Sequence, residues 1–318
     1  MIRRVDVLRS AAAAGTTFAL PIHPASADET VLRIGAIPID AAAEVYYAQA
    51  GGIFKKYGLA AEIQPFTSGV AAVAAMIGGA INISISDTVA AASAHVHGLP
   101  LTLLAPSCIF NKNSQVSSLM VLATSSIRGP RDLNGKIVAT NGLMNIVQIP
   151  SLAWIDNNGG DSRSVKFIEL PIPVMPAALQ EHRVDAVIIA EPWITNSQAS
   201  GEFRVIPLTE NNIAPTFLYS GWATTTDWVA KNADVVKRFV SAMNETAKWS
   251  NANQAQTAKI LSNISKVPLE VTMKMGRVTF GERFEVTTVQ PVIDAAAKYG
   301  AIAKAFPAAE IINAYALH

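Results

Sequence analysis

Residues 81–98 read INISISDTVAAASAHVHG, and this stretch decides how the chain folds. Its three isoleucines alternate with polar residues, which is the period-two pattern of a half-buried strand. Ser86 and Asp87 follow directly and are typical residues at the beginning of a helix. The helical pattern after them ends near Gly98, a residue type that favours helix ends. The stretch is therefore predicted to form one strand and one helix joined by a short loop.

The same order of strand, loop and helix recurs on both sides of this unit. Apolar runs predict strands over 31–37, 62–66 and 101–105. Helices are predicted over 42–57, where the pattern stops at Gly58, and over the stretch that follows Ser68 and Gly69. Repetition of this order is typical of an α/β fold with a mainly parallel sheet and helices on both faces.

Two polar stretches without periodicity, near 111–118 and 209–216, interrupt this order. Between them the pattern predicts further strands and helices, and after the second it predicts a strand near 222–225 followed only by helices. The two crossovers predict two α/β lobes. Lobe I is expected to combine residues 28–114 with 216–318, and lobe II to comprise residues 115–215.

The first 27 residues have the pattern of an export signal. Arg3 and Arg4 precede an apolar run that ends at Leu20, and Ala25-Ser26-Ala27 forms a small-x-small cleavage site. The run is too short to span the ~30 Å of a bilayer core. We expect cleavage after Ala27, through either the general secretory or the twin-arginine route, and a soluble periplasmic protein.

Composition limits the possible partners. A net charge of +1, from 25 basic and 24 acidic side chains spread along 318 residues, leaves no electrostatic footprint for nucleic acid. The single cysteine, Cys108, excludes an intramolecular disulfide and is expected to be a buried, inert thiol.

The chain has no nucleotide-binding glycine loop, nucleophile elbow or zinc-binding His-Glu-x-x-His motif, so we expect no catalytic residue, metal or cofactor.

Small and polar residues gather where predicted strands end and helices begin. In open α/β sheets ligands bind beyond the carboxyl ends of the strands, where helix N-termini offer free N–H groups. An equally simple interpretation of each residue is an ordinary helix cap, which stabilises the protein by ~1 kcal/mol. Because such corners, where a strand ends and a helix begins, occur in both halves of the chain, together they predict a shared cleft. The candidate ligand-binding residues at these corners are Pro38, Ile39, Asp40, Ser68, Gly69, Ser86, Asp87, Thr140, Asn141, Glu191 and Trp193.

Several segments resemble one family of proteins. GIFKKYGL (52–59) and EIQPFTSG (62–69) are similar to the opening helix, strand and ligand loop of periplasmic solute-binding proteins of ABC importers, in the nitrate/sulfonate/taurine and thiamine-precursor group. DLNGKIVA (132–139), EPW (191–193) and DVVKRF (234–239) resemble later segments of that family. Their order and spacing extend the resemblance over nearly all of the mature chain.

The resemblance implies a type II periplasmic-binding-protein fold, in which two α/β lobes joined by two crossover strands close on a small ligand. It implies a monomer that docks on an ABC transporter permease in the inner membrane. It also carries the ligand contacts onto the corners named above. Three further candidates follow from it, Met175 and the aromatic residues Tyr219 and Trp222, with Phe217 beside them.

Other functions stay open at this point. An enzyme on the same fold is one alternative, either similar to thiamine-precursor synthases, whose cysteine-rich motif this chain lacks, or a dehydratase that uses Asp40 or Glu191. A periplasmic sensory module is another. Glu191 is expected to recognise the ligand directly, and the alternative is that it accepts backbone N–H bonds and shapes its loop.

The ligand is expected to be small and organic. No arginine falls at the predicted corners, whereas Asp40, Asp87 and Glu191 favour an amine or hydroxyl group on the ligand. Helix N-termini favour an anionic group instead. A sulfonate-like or taurine-like anion or zwitterion therefore suits the site, and an aromatic or heterocyclic solute suits its tryptophan and tyrosine.

Overall fold

The computed structural model describes residues 30–111, 116–207 and 212–317. The predicted signal segment, with its cleavage site after Ala27, lies outside the described residues. The central parts of both predicted crossovers, 112–115 and 208–211, lie outside them as well.

The described chain alternates strands and helices. The strands are β1 (Thr30–Ala36), β2 (Leu59–Pro65), β3 (Ile83–Asp87), β4 (Leu101–Pro106), β5 (Cys108–Asn111), β6 (Ser117–Leu122), β7 (Ile137–Thr140), β8 (Lys166–Glu169), β9 (Ala186–Ala190), β10 (Phe203–Pro207), β11 (Thr216–Leu218), β12 (Ser220–Thr225) and β13 (Thr279–Phe280). The α-helices are α1 (Glu44–Ala50), α2 (Ile53–Lys56), α3 (Gly69–Ile77), α4 (Thr88–Val96), α5 (Gln148–Asn157), α6 (Met175–Gln180), α7 (Trp193–Gln198), α8 (Thr226–Lys231), α9 (Ala233–Ala252), α10 (Gln254–Ser265), α11 (Leu269–Thr272) and α12 (Val286–Lys298).

These strands form two five-stranded sheets and one small sheet. The first sheet has the order β2-β1-β3-β12-β4, with β1 parallel to β2 and β3, and β12 antiparallel to both of its neighbours. The second has the order β10-β6-β9-β7-β8, with β7 parallel to β8 and β9, and β6 antiparallel to β9 and β10. The small sheet, β11-β5-β13, is antiparallel. The chain thus leaves the first sheet after β4, builds the second, and returns to the first at β12.

The strand and helix predicted over 81–98 are confirmed as β3 and α4. Residues 83–86 are buried, as an inner strand of a sheet covered on both faces requires. The side chain of Asp87 accepts a hydrogen bond from the backbone N–H of Ala90 at 2.9 Å, which begins α4. Ser68 begins α3 in the same manner, through Ala71 N–H at 3.3 Å.

Two expectations about secondary structure are wrong. The helix predicted over 42–57 is broken into a short 3-10 turn, Asp40–Ala42, and the helices α1 and α2. The break falls at Gly51 and Gly52, and Gly52 has a φ of 70°, which glycine adopts at little cost. The region after 225 also contains β13, a strand of two residues that is too short to produce a sequence pattern.

A continuous set of buried apolar side chains supports both large sheets, and its largest members include Trp222, Tyr47 and Phe217. Cys108 is buried in β5, as expected. Among the described residues, we find no helix with the length and apolar character needed to cross a membrane.

Candidate functional site

A cavity of about 50 Å³ lies between the first and the second sheet. At about 10–15 Å³ for each water molecule, it has room for about four. Its walls come mainly from the carboxyl ends of the parallel strands and from the beginnings of β6 and β12, where an open α/β sheet is expected to bind ligands. The lining residues are Ile37, Ile39, Ala41, Ala42, Gly69, Ile85, Asp87, Val116, Ser117, Asn141, Asn145, Ile146, Val147, Ile172, Ile188, Ile189, Ala190, Tyr219 and Ser220.

Asp87 is the carboxylate of this cavity. Its Oδ1 atom accepts a hydrogen bond from Ala90 N–H at 2.9 Å and another from Ile146 N–H at 3.3 Å. Ala90 belongs to α4, the helix that follows β3 of the first sheet. Ile146 lies between β7 of the second sheet and α5. Asp87 therefore connects the two sheets across the cavity, and its Oδ2 atom lies near Gly69, another lining residue.

The environment of Asp87 changes its acidity. Desolvation by burial raises its pKa to about 6, although the hydrogen bonds from backbone N–H groups oppose this rise. At neutral pH the carboxylate form therefore predominates. The cavity presents a negative charge between walls that are mostly aliphatic.

Two asparagines form the polar wall on the side of the second sheet. Asn145 Oδ1 accepts the backbone N–H groups of Val147 and Gln148, both at 3.0 Å, and thereby caps the beginning of α5. Its Nδ2 group donates to Asn141 Oδ1 at 3.3 Å. The corner at Thr140 and Asn141 was predicted, but Asn145 was not. Its signal was its place directly before the helical pattern that begins at Ile146, where an N-cap residue stands.

The structure brings only some of the predicted residues to the cavity. Those that line it are Ile39, Gly69, Asp87, Asn141 and Tyr219. Those that lie outside its lining are Pro38, Asp40, Ser68, Ser86, Thr140, Met175, Glu191, Trp193 and Trp222. Most residues of the second group lie outside the lining because they bond to partners within the protein or pack in the hydrophobic core.

Asp40 is held by a cation that lies far away in the sequence. Arg277 donates from Nε to Oδ2 at 2.9 Å and from Nη2 to Oδ1 at 2.7 Å, and both side chains are buried. The hydroxyl of Tyr47 and the backbone N–H of Val278 donate to the same carboxylate at 2.9 and 3.0 Å. Four internal donors thus occupy its oxygens, which argues against a contact with the ligand, and the predicted contact of Asp40 stays untested.

Glu191 is likewise engaged within the protein. Its Oε1 accepts the hydroxyl of Thr195 at 2.7 Å and its Oε2 accepts the Thr195 backbone N–H at 3.1 Å, within the first turn of α7. Gly276 N–H also bonds to it, and its own carbonyl accepts Asp40 N–H at 3.3 Å. Desolvation by burial raises the pKa of Glu191. These contacts favour the alternative that this residue accepts N–H bonds and shapes its loop, and direct recognition of the ligand stays a prediction.

The expected aromatic wall is reduced to Tyr219. Trp222 is fully buried and donates from Nε1 to Glu44 Oε2 at 2.8 Å. β12 begins at the cavity and runs away from it, so Trp222 lies about 7 Å farther along the strand than Ser220. Met175 is a core residue, and Phe217 stacks on Phe110 with ring centroids 4.7 Å apart.

The other corner residues have local roles. Ser68 caps α3, and Ser86 donates its hydroxyl to the carbonyl of Asp87 at 3.1 Å. Thr140 has a buried hydroxyl that finds no hydrogen-bond partner in the part of the chain that the structure describes. Pro38 and Trp193 are half-buried outside the cavity lining.

Two open α/β sheets that enclose a cavity at their strand ends define a class of proteins, those with the type II periplasmic-binding-protein fold. Solved structures with this arrangement are similar to the chain. The alkanesulfonate-binding protein SsuA from Xanthomonas axonopodis pv. citri bound to MOPS has a TM-score of 0.75 at 17% identity, and the match covers 90% of this chain and 99% of that one. The periplasmic nitrate-binding protein NrtA from Synechocystis PCC 6803 has a TM-score of 0.74 at 17% identity, with 91% and 87% covered.

A third structure, the Candida albicans CA3427 gene product with the generic periplasmic binding protein fold, has a TM-score of 0.71 at 16% identity, with 91% and 97% covered. These likenesses confirm the predicted fold. The chain belongs to the NMT1/THI5-like family, whose model matches residues 41–257. No curated protein sequence matches the chain.

Proposed function

We propose that this protein is the periplasmic substrate-binding component of an ABC importer, which captures a small organic solute and delivers it to the permease. The observation that carries the proposal is the cavity between the two large sheets, at the strand ends where this fold binds ligands. Membership of the NMT1/THI5-like family and the likeness to a sulfonate-binding and a nitrate-binding protein support it.

The proposal assigns a lobe to each large sheet. Residues 28–114 with 216–318 form lobe I and residues 115–215 form lobe II, in agreement with the strands that each sheet contains. Three hydrogen bonds described above join the lobes, from Ile146 N–H to Asp87, from Asp40 N–H to the Glu191 carbonyl and from Gly276 N–H to the Glu191 carboxylate. A hinge motion that opens the cavity has to break these bonds, and a bound solute favours the closed form.

Binding is favoured over catalysis by the state of the carboxylates. A dehydratase on this fold would use Asp40 or Glu191, but Arg277 and Thr195 already occupy them. Among the described lining residues, Asp87 is the only carboxylate, so a second acid or base close to a substrate is missing there.

The expectation of a sulfonate-like or taurine-like solute, anionic or zwitterionic, is retained here as a proposal about the class of ligand. An anionic end would rely on amide and backbone N–H donors, such as the Nδ2 group of Asn141, because the described lining holds no lysine, arginine or histidine. The negative charge of Asp87 repels an anion, so the anionic end would lie away from Asp87.

Native mass spectrometry of the protein from the periplasmic fraction of its own host tests the proposal. We expect a copurified small molecule with one-to-one stoichiometry. After that molecule is removed by unfolding and refolding, its return should raise the melting temperature and leave it chemically unchanged. A new product would support the enzyme, and the absence of any bound or stabilising small molecule would contradict the proposal.

A further inference from the structure

Three helices begin at this cavity, and the chain itself occupies donors that a ligand anion would use there. Ser68 Oγ accepts Ala71 N–H at α3, and Asp87 Oδ1 accepts Ala90 N–H at α4. Asn145 Oδ1 accepts the first N–H groups at α5. Free N–H groups at helix N-termini are what makes them anion sites. Here side-chain oxygens accept one or two of these groups at each helix.

Asp87 not only accepts an N–H group but also places a negative charge at the point where the two lobes meet. Its Oδ1 receives N–H groups from both sides of the cavity. A second anion bound nearby would be repelled by this charge across a cavity with room for about four water molecules.

The charge of Asp87 has no cationic partner among the described residues that line the cavity. Arg277 is already paired with Asp40. A carboxylate in an aliphatic cavity is costly unless a cation and hydrogen bonds compensate it. Backbone N–H groups of Ala90, Ile146 and Val89, together with that of Asp87 itself, supply part of that compensation, and a cation is the part that is missing.

We propose that the solute binds through a cationic head, an ammonium group that meets the Oδ2 side of Asp87. Its body is short and aliphatic, and packs against the isoleucine and valine side chains of both lobes. This assignment rests on the proposed function and narrows it, because it excludes a bare anion such as a simple sulfonate or nitrate as the solute.

A panel of probes that share one body tests the head group. Isothermal titration calorimetry at pH 7.5, on the mature protein freed of copurified solute, compares n-propylammonium, n-propanol, propanesulfonate and nitrate. We expect n-propylammonium to bind at least tenfold more tightly than n-propanol, and both anions to give no binding. Tighter or equal binding of either anion, or of the alcohol, would overturn the cationic head and leave the importer proposal intact.

The copurified solute separates the two proposals if none of the probes binds. A recovered molecule that carries an amine supports the cationic head, and a recovered anion without an amine overturns it while the importer stands. Failure of every probe together with no recovered molecule contradicts both.

A matched pair of variants then tests Asp87 itself. Asp87→Asn keeps an oxygen that accepts the N–H groups of Ala90 and Ile146 but removes the charge. We expect it to weaken n-propylammonium at least tenfold. Asp161→Asn is the control, because Asp161 also caps a short helix but lies outside the cavity lining, and it should change the affinity less than twofold. Unchanged affinity in a folded Asp87→Asn protein overturns the assignment, and if that variant does not fold, the probe panel alone decides.

Discussion

The ion pair between Arg277 and Asp40 is the contact at the scale of single residues with the largest expected effect on stability. Arg277→Met keeps an apolar stem but leaves the carboxylate of Asp40 buried without its cation. Loss of one partner of a buried pair costs about 3–5 kcal/mol of unfolding free energy, which urea denaturation measures. Arg163→Gln is the control, because Arg163 is 92% exposed in its pair with Asp161, and should change stability by less than about 0.5 kcal/mol. An equally small loss for Arg277→Met would contradict the role of the pair.

Glu44 makes stability depend on pH in a direction opposite to that of most carboxylates. It is fully buried beside Trp222, and desolvation raises its pKa from 4.5 to about 8. The folded state therefore keeps a proton that the unfolded state has already lost. The stabilisation from this proton is complete below about pH 4.5 and is lost as the pH rises through about 8.

Glu44→Gln removes this proton linkage while it keeps the shape of the side chain. We expect the melting temperature of the natural protein to fall between pH 6 and pH 9 by several degrees more than that of the variant, which thermal unfolding monitored by circular dichroism measures. Asp87 has a pKa of about 6 and is present in both proteins, so its titration does not cause the difference. Parallel curves for the two proteins would show that Glu44 is ionised in the folded state.

At the scale of elements, the beginning of α7 depends on Glu191. Its side chain satisfies the backbone N–H of Thr195, which otherwise has no partner within the first turn. Glu191→Ala should lower the unfolding free energy of the ligand-free protein by about 0.5–2 kcal/mol, as loss of a helix cap does. Glu202→Ala, at an exposed carboxylate that contacts Gln180, is the control. Unchanged stability with a large loss of affinity for the copurified solute would return Glu191 to the ligand site.

At the scale of the whole molecule, the cavity has to open before a solute enters, since it has room for only about four water molecules. The hydrogen bonds described above that join its two sides, among them the one from Ile146 N–H to Asp87, break when the cavity opens. A bound solute favours the closed form. Small-angle X-ray scattering should therefore give a smaller radius of gyration when the copurified solute is added back to stripped protein. An unchanged radius at saturation would indicate a rigid cleft, as in an enzyme with a preformed site.

The sequence by itself determined most of the order of strands and helices, the presence of two large groups of strands and the corners at which strands end and helices begin. These properties follow from local patterns, namely the period of apolar residues, the capping residues and the glycines at helix ends. Asp87 and Gly69 illustrate this, because each lies at the end of a clear strand and the beginning of a clear helix, and both line the cavity. The small sheet escaped notice because β13 has two residues and its pattern cannot be recognised.

Only the tertiary structure decided which polar side chains face the cavity and which are used internally. Asp40 meets Arg277 across 237 positions of sequence, and Trp222 meets Glu44 across 178. No local pattern encodes such pairs, because they arise when distant elements pack together. Once Asp40 and Glu191 have partners inside the protein, Asp87 remains as the carboxylate of the described cavity lining. The cost of burying its charge without a cation is the physical basis of the proposed ammonium group on the solute.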